Sequence, residues 1–420
     1  MSLGKAFKHL GIDLRLAGMI GALFLIWLLF DLFTGGRFLT PRNLFNLSVQ
    51  TASVAVMATG MVFVIVTRHI DLSVGSLLGF LGMIMGTLQL HYLPGIFGHG
   101  TAAVWIVAVL AGILCGVLLG GFQGWIIGYL NVPAFIVTLG GLLVWRGAAW
   151  WVTSGQTVAP LDQTFKRLGG GTGGSLGATW SWIIGIAAVA AAVAMIFNAR
   201  KRRARHGFPV KPFPAELALA GIVSAGILGF VALMNAYKVP ETAARRILEA
   251  RGEPVPEGPI DMAQGIAIPV VILLVVAVVM TVIARRTRFG RYVFATGGNP
   301  DAAELSGINT RLLTVKIFAL MGALTAIAAV IASARLGSVG NDLGTLDELR
   351  VIAAAVIGGT ALSGGIGTIH GAVIGALIMQ SLQSGMAMVG VDAPLQSIVV
   401  GVVLVIAVLV DILYRRRFGL

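Results

Sequence analysis

Charge is what this 420-residue chain has least of: Asp, Glu, Lys and Arg make up 11% of it, against roughly 25% in a soluble domain. With 57% of residues hydrophobic and a mean hydropathy of +0.93, soluble fold classes are excluded. The expectation is an all-α, polytopic helical membrane protein forming one domain over residues 1–420. Cysteine is nearly absent. The single Cys115 lies inside an apolar run, so no disulfide or cysteine-based metal cluster can be built, and no metal site is expected. No GxxxxGK[ST] occurs, and GGGTGG at Gly169–Gly174 has no lysine, so no phosphate-cradling loop and no ATPase site of its own are expected. HExxH and Cys/His clusters are missing, and no GxSxG sits on a strand-to-helix turn. No catalytic residues are therefore assigned, and the chain is not read as an enzyme. Ion-coupled carriers place acids near the bilayer midplane, whereas Asp31, Asp71 and Asp411 lie near the ends of apolar runs. The first apolar run is long and lacks a small-residue cleavage site, so no cleavable signal peptide is expected.

What charge there is leans one way, 30 Lys and Arg against 17 Asp and Glu, a net +13. It clusters beside apolar runs, at Lys5 and Lys8, Arg200–Arg205, Arg285–Arg291 and Arg415–Arg417. That pattern is an orientation signal for a cytoplasmic face, not a nucleic-acid footprint. Apolar stretches of membrane-spanning length fall near 14–33, 44–67, 72–92, 102–130, 132–151, 179–198, 215–236, 265–284, 313–334, 349–363, 369–388 and 394–414. About twelve spans, within a range of ten to twelve, put both termini and all the basic clusters on the cytoplasmic side. The weak members, 72–92 and 349–363, are glycine-rich, which favours broken or re-entrant helices there. Residues 199–214 read as a basic cytoplasmic loop. On the opposite side lie 35–42 with Arg37 and Arg42, 237–264 with Arg245 and Arg246, and 335–348 with Asp342 and Asp347. These charges are either a solvated edge or a docking surface for a periplasmic partner. Trp145, Trp150 and Trp151 read as an interfacial aromatic belt.

The stretch RRTRFGRYVFATGGNPDAAELSGINTRL, Arg285–Leu312, interrupts two apolar runs and encodes a small helix over 300–306. Asn299 suits its cap, Pro300 its first position, Asp301 its positive dipole end, and Gly307 its left-handed stop. Ala302, Ala303, Glu304, Leu305 and Ser306 fill it, after a tight approach at Gly297 and Gly298. So short a helix is unstable alone and must dock on something. A second motif, RHIDLSVGS at Arg68–Ser76, sets Asp71 with Ser73, Gly75 and Ser76 where an N-cap for the following helix is expected. A third, VIGGTALSGGIGTIHG at Val356–Gly371, has glycine pairs that permit a helix break. Aligned at one offset, Val64-Ile65 and Val74–Gly79 match Val356-Ile357 and Ile366–Gly371, a hint of internal repetition. Its His370 is either a bonded packing residue or a proton relay. Other polar residues within the apolar runs, Asn46, Gln50, Gln123, Thr138, Gln380 and Gln383 among them, suit either a passage for an uncharged, hydroxyl-rich solute or helix-to-helix bonding.

TRFGR followed by ATGGNPDAAELSGI resembles the cytoplasmic coupling loop of bacterial ABC sugar permeases of the ribose and xylose type. IDLSVGS and the third motif fall in the order that family has them. Arg68 and His69 depart from it, standing where its members commonly have glycines. The related branched-chain amino acid permeases carry a different, asparagine-containing segment at IDLSVGS, so the resemblance favours sugar. The helical pair around 199–214 is similar to the longer xylose branch. The resemblance implies an ABC importer permease subunit for a monosaccharide, a pentose such as xylose, in a bacterial inner membrane. Gly297–Gly307 would sit in a cleft of a cytoplasmic ATPase subunit, which binds ATP and Mg and whose two nucleotide-binding domains can be fused. It implies further a periplasmic sugar-binding protein, a second permease copy in a homodimer, and no cofactor in this chain. An ABC permease for branched-chain amino acids or nucleosides is the alternative, and an ion-coupled secondary sugar carrier a more distant one.

Overall fold

The computed structural model describes residues 14–171 and 173–418. Lys5 and Lys8 lie outside the described residues, and the side chains of Asp411 and Arg415–Arg417 are likewise outside them. Helices follow one another as α1 (Leu14–Phe33), α2 (Pro41–Val66), α3 (Val74–Phe97, with a π-helical turn at Leu88–Tyr92), α4 (Ala102–Tyr129), α5 (Ala134–Thr153), α6 (Gly177–Arg205) and α7 (Phe213–Ala236). There follow α8 (Glu241–Arg251), α9 (Ile268–Arg286), α10 (Arg288–Gly298), α11 (Pro300–Leu305), α12 (Thr310–Leu336), α13 (Asp347–Ile357), α14 (Ile369–Val389) and α15 (Ala393–Phe418). Among the described residues the only β pairings are isolated bridges, such as Val158 with Val339. The all-α expectation holds. Ten of these helices are long and apolar enough to cross a membrane, and the described apolar part of α15 runs Ala393–Leu409.

The two glycine-rich runs behave as their composition suggests. Residues 67–73 break the path between α2 and α3. The run at 349–363 is no full span: α13 has 11 residues and ends at Gly358-Gly359, where Gly359 takes a φ of +96° that β-carbon-bearing residues avoid. Residues 199–205, expected in a loop, complete the last turns of α6, since alanine and long basic side chains favour helix and positive charge suits a helix C-terminus. The segment 237–264 holds the surface helix α8.

Two helices form the centre. The apolar windows of α2 and α12 are 89% and 78% buried, against 6% for α1 and 11% for α6, which face outward. What lets α12 sit so deep is a stripe on α4: Gly116, Gly120, Gly124 and Gly128 recur every fourth residue, on one helix face, while Gly112 in the same register meets the Met85 side chain of α3. A β-carbon on Gly116 would strike the Gly322 carbonyl, on Gly120 that of Phe318, and on Gly128 that of Arg311, so the two antiparallel backbones touch. A second stripe on α3, Gly75, Gly79, Gly82 and Gly86, receives the segment 337–346. That segment therefore re-enters the bundle beside α3 instead of forming the outer loop expected of 335–348. By contrast α6 and α7 pack mainly on each other, joined to α2 through Phe45, Val49, Val231 and Met234.

Gly120→Ala is expected to cost about 1–3 kcal/mol through overpacking, read as a lowered thermal midpoint of the purified full chain. Gly121→Ala, whose β-carbon meets only the Ala319 methyl at 3.7 Å, should raise the midpoint slightly, since alanine favours helix over glycine by about 1 kcal/mol.

Candidate coupling site and polar cavity

The short helix α11 forms as its capping chemistry dictates. Asn299 Oδ1 accepts from Ala302 N at 3.0 Å, and Pro300 opens the helix. At the other end Gly307, at φ +84°, lets Ile308 N return to Ala303 O at 3.1 Å. Ala303 is the inward residue, and Leu305 on the outer side is 90% exposed. Leu305 thus projects from the bundle on a two-turn helix too short to be stable without its neighbours.

Behind this knob, three backbone segments meet without intervening side chains. Gly365 N donates to Val66 O at 2.9 Å. A β-carbon on Gly297 would collide with that same carbonyl and approach Gly365 N. Arg68 completes the junction: its Nε donates to Gly297 O at 3.0 Å and its Nη2 to Gly298 O at 2.9 Å. Arg68 sits at φ +66°, a left-handed conformation costing roughly 1–2 kcal/mol for a residue with a β-carbon. Charge-assisted bonds to two carbonyls offset that cost. Arg68 thus holds a backbone that glycine adopts without cost and adds a side chain that grips Gly297 and Gly298. Phe289 of α10, stacked on Phe63 of α2 at 5.9 Å, fastens the same region from the side.

Within the break, Asp71 was expected to cap α3. Its Oδ1 instead accepts from Ser73 N at 2.8 Å and Ser73 Oγ at 2.7 Å, one residue before the helix begins, so it fixes the turn leading into α3. Ser73 Oγ in turn accepts from Gln123 Nε2 at 3.2 Å, and Thr138 Oγ1 donates to Ile70 O at 3.1 Å. Gln123 and Thr138 were read with the passage residues. Both are buried, and both brace the break. Ser76 is buried in the first turn of α3, and Gly75 lies against Gly344 and Glu348. The two resembling motifs both form helix, break and helix, and their breaks touch at Val66 and Gly365.

The remaining passage candidates collect elsewhere. Gln50, Gln380 and Gln383 line a cavity of about 250 Å³ together with Arg335, Asp342, Asp347 and Arg350. A neighbouring cavity of about 350 Å³ shares the three glutamines. Gln380 Nε2 donates to Gln50 Oε1 at 2.9 Å, and Arg350 donates to Asp347 Oδ1 at 2.8 Å. Asn46 is exposed one turn from Gln50. Asp347, expected on an outer docking surface, is a correction: it begins α13 inside the bundle, level with Gln380 at the middle of α14. Arg37, Arg42 and Arg246 are exposed, whereas Arg245 is engaged with Glu241 at 2.8 Å and the Pro256 carbonyl at 3.2 Å. Arg335 and Arg350 escaped the sequence reading, although the i,i+3 spacing of Asp347 and Arg350 on a helix was a usable signal.

The family described as branched-chain amino acid transport system, permease component, matches residues 43–408. This chain belongs to that permease family. It is similar to the xylose transport system permease protein of Escherichia coli K12, 36% identical over 97% of this chain and 94% of the relative. It is also similar to that of Haemophilus influenzae Rd, 36% identical over 98% and 100%, and to the ribose import permease protein of E. coli K12, 31% identical over 89% and 87%. No solved structure matches. The permease is a multi-pass protein of the inner membrane.

Arg68→Gly removes the two carbonyl bonds and the left-handed cost together, so its thermal midpoint should stay near that of the unmodified permease. Arg68→Ala keeps the cost without the bonds and should lose about 1–3 kcal/mol. The order Gly above Ala in thermal denaturation checks this account, and the reverse order would refute it.

Proposed function

We propose that this permease moves a monosaccharide, a pentose such as xylose, through an ATP-binding cassette importer whose nucleotide-binding subunit is a separate chain. The observation that carries the reading is the exposed knob Leu305 on a helix whose base, Gly297-Gly298, is bonded through Arg68 to the helix break and packed on Val66 and Gly365. A pull on α11 has no slack to absorb it before it reaches α2 and the 358–368 segment that joins α13 to α14. The partner ATPase binds ATP and Mg, grips Gly297–Gly307, and moves the two knobs of a permease homodimer together as its own dimer closes. A twofold ATPase, fused or not, matches a twofold permease. Both termini and α11 lie on the cytoplasmic side, in keeping with the basic clusters. A periplasmic sugar-binding protein docks on the opposite end, where Arg37, Arg42 and Arg246 are exposed. The solute passes Asn46, Gln50, Gln380 and Gln383, amides that exchange hydrogen bonds with hydroxyls without fixing a charge.

The near full-length likeness to xylose transport system permeases supports the pentose. No covalent chemistry falls to this chain. Its work is to alternate between two packings of the same helices as the ATPase pulls and releases.

In vesicles containing the permease, its ATPase and its binding protein, ATP-driven uptake of labelled xylose is expected. Glu304→Arg should abolish uptake while leaving insertion intact. Leu305→Ser should weaken ATPase binding at least about tenfold, since burying a leucine side chain contributes about 1.5–3 kcal/mol. Full uptake by the Glu304→Arg chain, or uphill uptake without the ATPase, would refute the reading.

A further inference from the structure

The cavity beside α13 has properties that a passage alone does not require. Arg335 and Arg350 face Asp342 and Asp347 within it, two positive groups against two negative. An ionic solute gains no net attraction there. A solute bearing hydroxyls finds acceptors, donors, and three amides that are both. The volume of about 250 Å³ falls just below the range of ligand sites, which run from about 300 Å³ upward, and is of the scale of a single sugar ring. The site also lies deep, level with the middle of α14, where transporters with interrupted helices hold their substrates.

Its wall is mechanically joined to the coupling knob. The first turns of α13 contribute Asp347 and Arg350, and 11 residues of helix make a rod of about 16 Å. The far end of that rod runs into 358–368, where Gly365 is bonded to Val66 and packed on Gly297. Gly375 of α14 meets the backbone of α13 at Ala354, and Gly371 meets Gly358 just past its end, so the rod lies against α14 at backbone distance.

We propose that this cavity is a station inside the permease that holds one neutral, hydroxyl-rich solute of monosaccharide size in transit, and that α13 is the lever through which the coupling knob opens it. The proposal rests on the importer reading above and adds a binding site with its own specificity to a chain otherwise read as a conduit. Asp347, Arg350, Gln50 and Gln380 then select the solute a second time after the binding protein has released it. The Gln50–Gln380 bond, shared by both cavities, is the contact that a solute passing between them must break.

Because Cys115 is the single cysteine, a reporter thiol can be placed cleanly. In full-length permease with Cys115→Ala and Ser53→Cys, on the α2 wall of the cavity, reconstituted in vesicles, modification by a hydrophilic thiol reagent is followed with and without xylose. Xylose should slow modification about threefold, as a mostly filled site gives by mass action, and leucine should not. Adding Asp347→Asn should abolish the protection. Thr345→Cys, on another wall of the same cavity, serves as a second reporter if the first position folds poorly. Unprotected thiols at both positions, while the unmodified permease takes up xylose under ATP, would overturn the station alone. Protection by leucine instead of xylose would overturn its solute class. Protection by xylose with no ATP-driven uptake by the unmodified chain would leave the station standing and fall on the importer reading.

Discussion

The junction of Val66, Gly297 and Gly365 is the constraint on which the rest of this permease depends. Three backbones approach so closely that a methyl group on Gly297 has no place to go. Such contacts are stiff in compression because nothing between them can change rotamer. They are directional too, since the Gly365 amide and the Arg68 guanidinium lock their orientation with hydrogen bonds. Side-chain packing alone at this point would yield to a displacement. Backbone packing passes it on.

The same device recurs at each contact that the central helices depend on. The glycines of α4 bring α12 in to backbone distance, those of α3 admit the 337–346 segment, and those of α14 seat α13. Lipid supplies no hydrophobic drive between apolar helices, so close van der Waals approach must stand in for it. The cost is that glycine weakens a helix by about 1 kcal/mol relative to alanine. Here the loss is offset where a glycine such as Gly116, Gly120 or Gly128 faces a partner backbone.

What could be read from the chain divides along the range of the interactions involved. The short helix α11 was legible because Asn299, Pro300 and Gly307 act on residues two to four positions away, and that chemistry is written consecutively. The spans were legible because apolar length is a local property. The roles of Gln123 and Thr138 were not, because their partners Ser73 and Ile70 lie 50 and 68 residues away and an intramembrane amide looks the same whether it braces a turn or lines a path. Asp347 was misplaced for a related reason. A polar segment between two apolar runs has the composition of an exposed loop, and only the glycine face of α3 reveals that it folds inward. Arg68 stood out as a departure from glycine, but its meaning depends on carbonyls 229 and 230 positions later.

The hairpin of α6 and α7 stands apart from all of this. Among the described residues it buries its faces chiefly against itself, touches α2 through two small apolar clusters, and contributes nothing to the junction, the breaks or the cavity. A piece attached in this way is modular: its length, charge and connecting turn are free to drift, and its gain or loss during the history of such permeases need not disturb the moving parts. Variation in chain length across the family has somewhere harmless to accumulate.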